Sequence, residues 1–97
     1  MTRWVVIFDD TPAMIPHRRA NGAAHVAYCE ANRDRLLVGG GLSDAPSSPF
    51  TGGLWIVEAN THDEVVELVM GDPYYNPAHR RFQIKCWGRV LDGPVTI

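Results

Sequence analysis

Four histidines, His17, His25, His62 and His79, are the side chains in this sequence best suited to moving a proton near neutral pH, because imidazole titrates there without help from its surroundings. His62 falls in what reads as the first turn of a helix, where the dipole opposes its charged form, and it reads as a surface residue. His17 and His79 stand beside arginines in loop-like segments and read as solvated. His25 differs in placement. It sits at the border of an alanine-rich helical stripe, from which it reaches a cleft beside the helix rather than the core. Asp72 is the second candidate. It directly follows a helical segment ending at Gly71, where unpaired carbonyls and the negative end of the dipole disfavour a carboxylate without a compensating partner. An Asp before Pro73 is also an ordinary turn initiator. The sharper reading has Asp72 bonded to one ring nitrogen of His25, fixing the tautomer and leaving the other nitrogen to accept a substrate proton. Spacing along the chain does not show that the two meet.

Cys29 lies one helical turn after His25, which raises a metal site on one helix face. Two ligands are too few and no nearby Cys or His completes a set, so no metal is expected. Cys29 and Cys86 are too few and too far apart to read as a disulfide framework, and free thiols are expected.

The elements that must position these residues follow from periodicity. Trp4-Val5-Val6-Ile7-Phe8 is a β-branched, apolar run that reads as a central strand buried on both faces. Residues 11–19, with Pro12, Pro16 and the polar cluster His17-Arg18-Arg19, read as a loop. Over 20–32 the alanines and Tyr28 recur at i, i+3, i+4, predicting a first helix whose alanine face packs inward. Leu36-Leu37-Val38 reads as a strand ending in Gly39-Gly40-Gly41, and 42–53 as a long connection, either a hairpin tip or a flap. Leu54-Trp55-Ile56-Val57-Glu58 resumes the strand pattern. Thr61 and Glu64 form a capping box that starts a second helix; Gly71 suits its left-handed C′ position and Pro73 forbids continuation. Phe82 to Trp87 alternates as a last strand, with Arg89-Val90-Leu91 as a possible extension.

The order β-α-β-β-α-β predicts a ferredoxin-like α+β fold, a four-stranded antiparallel sheet with both helices on one face. Residues 1–97 are expected to form one domain. The other sheet face is then open, and with Trp4, Trp55 and Trp87 on three strands a homodimer is expected to cover it. Composition narrows the partners. Nine Lys+Arg against 11 Asp+Glu give a net charge of −2, which supplies no basic footprint for nucleic acid or an anionic membrane. No apolar run approaches the roughly 20 residues that cross a bilayer, and the early Asp9-Asp10 argues against a signal peptide, so a cytoplasmic protein is expected.

Three motifs then carry a family resemblance: Ala24-His25-Val26, Arg35-Leu36-Leu37-Val38-Gly39-Gly40-Gly41-Leu42, and Met70-Gly71-Asp72-Pro73-Tyr74. In that order and spacing, over Trp4 to Trp87, the chain resembles the YciI-like (YCII-related) family of small bacterial proteins. The resemblance implies a dimeric ferredoxin-like fold with a histidine and an aspartate facing one pocket, roles that fall on His25 and Asp72. An arginine seven residues before the histidine falls on Arg18. Two departures stand out. Gly40 is followed by Gly41 where the family usually has proline, which is expected to loosen a loop lining the pocket, and Tyr74 replaces a phenylalanine, adding a hydroxyl.

The best-defined activity in that family is cofactor-free dehydrochlorination of a chlorinated hydroxyhydroquinone in aromatic degradation. Such a lyase needs a base for a phenolic proton and a polar site for chloride, with no redox centre or metal. His25 suits the base and Asp72 its orienter. Arg18 or the amides of Gly39, Gly40 and Gly41 suit the phenolate or chloride, and Trp55 and Tyr74 suit the flanks of the ring. Two alternatives remain: a non-catalytic dimeric module binding a metabolite or a protein, and a muconolactone-isomerase-like isomerase. A His25 to Asp72 separation well beyond ~3.2 Å would favour the binding module.

Overall fold

The computed structural model describes residues 1–97. Its elements are β1 (Thr2–Asp10), α1 (Met14–Ala31), β2 (Leu36–Ser43), β3 (Phe50–Ala59), α2 (His62–Gly71) and β4 (Arg80–Cys86). The strands form one sheet in the order β2-β3-β1-β4, every neighbouring pair antiparallel, which is the ferredoxin-like arrangement expected. The helices cover one face. Val6 and Phe8 of β1, Trp55, Val57 and Ala59 of β3, and Leu36 of β2 form a buried cluster with Val65, Leu68 and Val69 of α2. Alternation puts those strand residues on one side of the pleat, and the i, i+3, i+4 spacing of the α2 residues matches them with one helical stripe. No helix is long and apolar enough to cross a membrane.

Helix α2 starts as its sequence requires. Thr61 Oγ1 accepts from the Glu64 amide at 3.2 Å and Glu64 Oε2 accepts from the Asn60 amide at 2.8 Å, one residue ahead of the usual capping-box target. Its end differs from expectation. Gly71 is the last helical residue and has no positive φ; Asp72 is the C-cap, in extended conformation. A glycine suits position 71 for another reason: a Cβ there would lie 2.6 Å from Tyr28 Oη, and that hydroxyl donates to Leu68 O at 2.6 Å.

Several expected boundaries shift. Helix α1 begins at Met14, so His17, Arg18 and Arg19 are helical and not in a loop; Pro16 falls in the first turn, where its missing N–H costs nothing. Strand β1 is central but not buried on both faces: Val6 is 0% exposed and Ile7 37%, because the side away from the helices is uncovered. Strands β2 and β3 take up half of the expected long connection, leaving only 44–49 between them. Gly39, Gly40 and Gly41 belong to β2, paired with Trp55, Leu54 and Gly53, and are not a loosened loop. Aromatic rings supply what the glycines lack, since the Phe50 ring lies within 2.6 Å of where a Gly41 Cβ would stand and Trp55 packs over Gly39. β4 ends at Cys86 without continuing into 89–91. Trp4 and Trp55 face the helices, so they do not cover the open sheet face; that face carries Val5, Ile7, Leu54 and Ile56.

The largest correction concerns α1. Ala20, Ala23, Ala24, Ala27 and Ala31 are exposed, and Met14 is the only buried residue of the helix. The half-buried stripe turned toward the sheet is instead Arg18, Gly22, His25, Cys29 and their neighbours Asn21 and Tyr28. Alanine loses little in water and favours helix on its own. The polar stripe is tolerated inside because each long side chain finds a partner on another element or faces a cavity.

Candidate active site

Arg18, His25 and Cys29 are seven and then four residues apart, so they share one face of α1. Opposite them the sheet presents Gly39, Gly41 and Gly53, where no side chain rises to meet the helix. The space left is a cavity of about 440 Å³ lined by those residues with Trp55, Tyr74 and Arg80 among others, within the usual size range for small-molecule sites. The tip 44–49 does not line it.

At one wall His25 Nδ1 lies 2.6 Å from Asp72 Oδ1. The carboxylate can only accept, so Nδ1 carries a proton, and in the neutral imidazole Nε2 is then left with its lone pair. The same Oδ1 also accepts from the Tyr74 amide at 3.0 Å, a turn that holds the Asp72 side chain against the imidazole. The Tyr74 ring stacks on His25 with centroids 3.8 Å apart and planes at 6°. Imidazole orientation is thus fixed in plane by Asp72 and out of plane by Tyr74. The His25 side chain is 20% exposed and that of Asp72 2%. Helix α1 is also pinned to this turn by His17, whose Nε2 lies 3.0 Å from Pro73 O; His17 is therefore not a solvated loop residue.

Cys29 Sγ stands 3.7 Å from His25 Nε2. Burial, and then the charge of Asp72, push this thiol above its ordinary pKa, so it stays protonated at neutral pH and is a poor nucleophile. Burial and Asp72 likewise raise Tyr28, against the opposing pull of Arg35. His25 and Cys29 join no cluster of three or more metal-binding side chains, and both cysteines are free.

A second wall holds a cluster that sequence reading did not find. Asp10 accepts from Arg80 Nε at 2.7 Å, Arg80 Nη2 at 2.9 Å and Arg18 Nη2 at 2.9 Å. Arg18 Nη2 also donates to Gly52 O at 2.7 Å. Burial by itself would raise the Asp10 carboxyl, but the hydrogen bonds and charges of Arg80 and then Arg18 outweigh it and hold the group below its ordinary value. The guanidinium carbon of Arg80 lies 4.5 Å from the Phe8 ring centre and that of Arg18 5.0 Å from that of Phe50. In the sequence Asp10 stands out only as part of the early Asp9-Asp10 pair. Its partner stands 70 positions away, at the start of β4, two residues ahead of where the alternation places that strand.

The structure therefore gathers Arg18, His25, Gly40, Gly41, Trp55 and Tyr74 around one cavity, with Asp72 directly behind His25. Trp55 forms a buried wall, 3% exposed and edge-on to Phe8. Tyr74 packs on the imidazole face instead of standing clear of it.

The sequence model of a family described as YCII-related domain matches residues 2–88. A solved structure of 5-chloro-2-hydroxyhydroquinone dehydrochlorinase (TftG) from Burkholderia phenoliruptrix AC1100, in complex with 2,5-dihydroxybenzoquinone, is similar with a TM-score of 0.76 at 28% identity. The match covers 89% of this chain and 93% of that one. No curated protein sequence matches.

Proposed function

Since the chain belongs to the YCII-related domain family, we propose that it is a cofactor-free enzyme moving protons on a small hydroxylated ring, with dehydrochlorination of a chlorinated hydroxyhydroquinone as the reaction. The observation that carries this reading is the 2.6 Å contact of His25 Nδ1 with Asp72, which leaves Nε2 free to act as a base at a cavity wide enough for one ring. The similarity to a dehydrochlorinase bound to a dihydroxybenzoquinone supports the substrate class.

The chemistry balances with these residues alone. His25 Nε2 removes a hydroxyl proton from the chlorinated trihydroxybenzene, and the phenolate electrons move into the ring. The carbon bearing chlorine takes that proton back from the imidazolium and becomes tetrahedral. Nε2 then removes a second hydroxyl proton as chloride departs, leaving a hydroxyquinone and HCl. One hydroxyl proton ends on carbon, the other leaves with chloride, and no outside oxidant takes part. Asp72 stabilises the imidazolium formed twice in this sequence, while the guanidinium groups of Arg18 and Arg80 favour the phenolate and the departing chloride.

Two further parts belong to the proposal. A second copy covers the open sheet face, where Ile7 and Leu42 are 37% and 44% exposed, and light scattering checks it. The protein works in the cytoplasm, a setting that free thiols suit.

The test is chloride release from chlorinated hydroquinols. His25→Ala is expected to lose about 10²–10⁴-fold in rate, the usual contribution of a positioned base, with an unchanged circular dichroism spectrum. Full activity in that variant overturns the assignment of His25. A wild-type protein that binds quinols without releasing chloride supports a binding module instead.

A further inference from the structure

Two guanidinium groups face one carboxylate at the inner wall of the cavity. Arginine does not give up its proton in proteins, and Asp10 is kept ionised by both partners, so the cluster carries one uncompensated positive charge. It is a buried charge, since the side chains of Arg80, Arg18 and Asp10 are 4%, 13% and 0% exposed. The donors are not exhausted either. Arg80 spends Nε and Nη2 on Asp10, which leaves Nη1. Arg18 spends Nη2 on Asp10 and Gly52, which leaves Nη1, while its Nε is buried without a partner. The indole N–H of Trp4 donates to Ala59 O, whereas that of Trp55 has no acceptor within the protein although the residue is 3% exposed. Its Cδ1–Nε1 edge is turned to Gly39, where a Cβ would lie 3.1 and 3.4 Å away, and both residues line the cavity. Glycine at 39 keeps that N–H open.

A cavity with spare donors and a spare positive charge at this wall calls for an anionic oxygen. We infer that the site takes its ring ligand as a monoanion, a phenolate or hydroxyquinone enolate, with the ionised oxygen on Arg18, Arg80 and the Trp55 N–H. The balance with the dyad fits. When the ligand's proton rests on His25, the imidazolium cancels Asp72 and the ligand cancels the surplus arginine. A neutral ligand leaves the arginine charge unmatched at one wall and Asp72 unmatched at the other. Tyr74 touches both groups, 3.8 Å from the His25 ring centre and 5.3 and 5.6 Å from the two guanidinium carbons. This deepens the proposed function by naming the charge state of its ligand and by adding the Trp55 N–H to the two arginines that select it.

The experiment reads binding and not turnover, so it stands or falls separately from chloride release. 4-Nitrophenol, whose absorbance reports its ionisation, is titrated with wild-type protein across its own pKa, alongside 4-nitroanisole as the uncharged match and 2,5-dihydroxybenzoquinone as an acidic ring. Bound nitrophenol is expected to show the phenolate spectrum with its pKa lowered by about one unit or more, meaning at least about tenfold tighter binding of the anion. Nitroanisole is expected to bind at least that much more weakly. The preference should persist in the double variant His25→Ala/Asp72→Asn, which takes both charges from the opposite wall, and vanish in Arg80→Met. Binding of nitrophenol in its neutral form, equal affinity for nitroanisole, loss of the preference in that double variant, or no binding of either acidic ring at millimolar concentration overturns the inference. Should Arg80→Met fail to fold, the wild-type spectra alone decide.

Discussion

Gly71→Ala combined with Tyr28→Phe tests the joint between α1 and the end of α2 that sets Asp72 beside His25. A Cβ at position 71 would lie 2.6 Å from Tyr28 Oη, 3.2 Å from Cζ and 3.3 Å from Cε1, so the whole ring must retreat and its 2.6 Å hydrogen bond to Leu68 O is lost. Overpacking costs about 1–3 kcal/mol and the lost hydrogen bond about 1 kcal/mol. Alanine returns up to about 1 kcal/mol in helix propensity, less at a terminal position. The net loss is about 1–3 kcal/mol, a fall in Tm of roughly 5–15 °C for a domain of this size. Tyr28→Phe alone removes only the hydrogen bond and should cost about 1 kcal/mol. In the double variant the clashing oxygen is gone, so the two losses should fall short of their sum by about 1–2 kcal/mol. Urea unfolding of the four proteins, followed by circular dichroism, measures that coupling. Additive losses, or a Gly71→Ala variant more stable than the parent, would refute the close approach as the reason for glycine.

Other expectations are checked more simply. The stability that Asp10 contributes is fully present above the ordinary carboxylate pKa of about 3.9. Because its folded pKa is lowered, that contribution is lost as pH falls from there through the lowered value, so Tm should hold to about pH 5 and then drop. Asp10→Asn should be less stable at pH 7 by about 3–5 kcal/mol, since it strands two buried cations; a variant matching the parent there removes the cluster from the account. Cys86 is exposed, whereas burial and Asp72 raise the Cys29 thiol. Iodoacetamide at pH 7.5 should therefore label Cys86 first, with Cys29 slow and slower still when a ring ligand fills the cavity; equal rates by peptide mapping would place Cys29 elsewhere than on the cavity wall.

What the sequence makes legible depends on how local each signal is. The four strands, the start of α2 at Thr61 and the element order were legible because alternation, capping and proline act over a few residues. The ferredoxin-like sheet followed from that order and from the handedness of its connections. The inward face of α1 was not legible. A stripe of alanines looks apolar from the sequence, yet alanine is nearly indifferent to burial, and the sheet opposite offered glycines and ion-pair partners that favoured Arg18, His25 and Tyr28 inside. Gly71 was read as a turn residue when a phenol from another helix was what required it.

The sequence by itself determined which chemistry was on hand: one well-placed imidazole on a helix, one carboxylate after the other helix, an arginine seven residues before the imidazole and a glycine-rich strand. Only the tertiary structure brought His25 within 2.6 Å of Asp72 across 47 positions and joined Asp10 to Arg80 across 70. The reason is physical. Propensity and periodicity are properties of neighbours in the chain, whereas the charge of a cavity is the sum over groups that meet only once β1 pairs with β4 and α1 settles over β2.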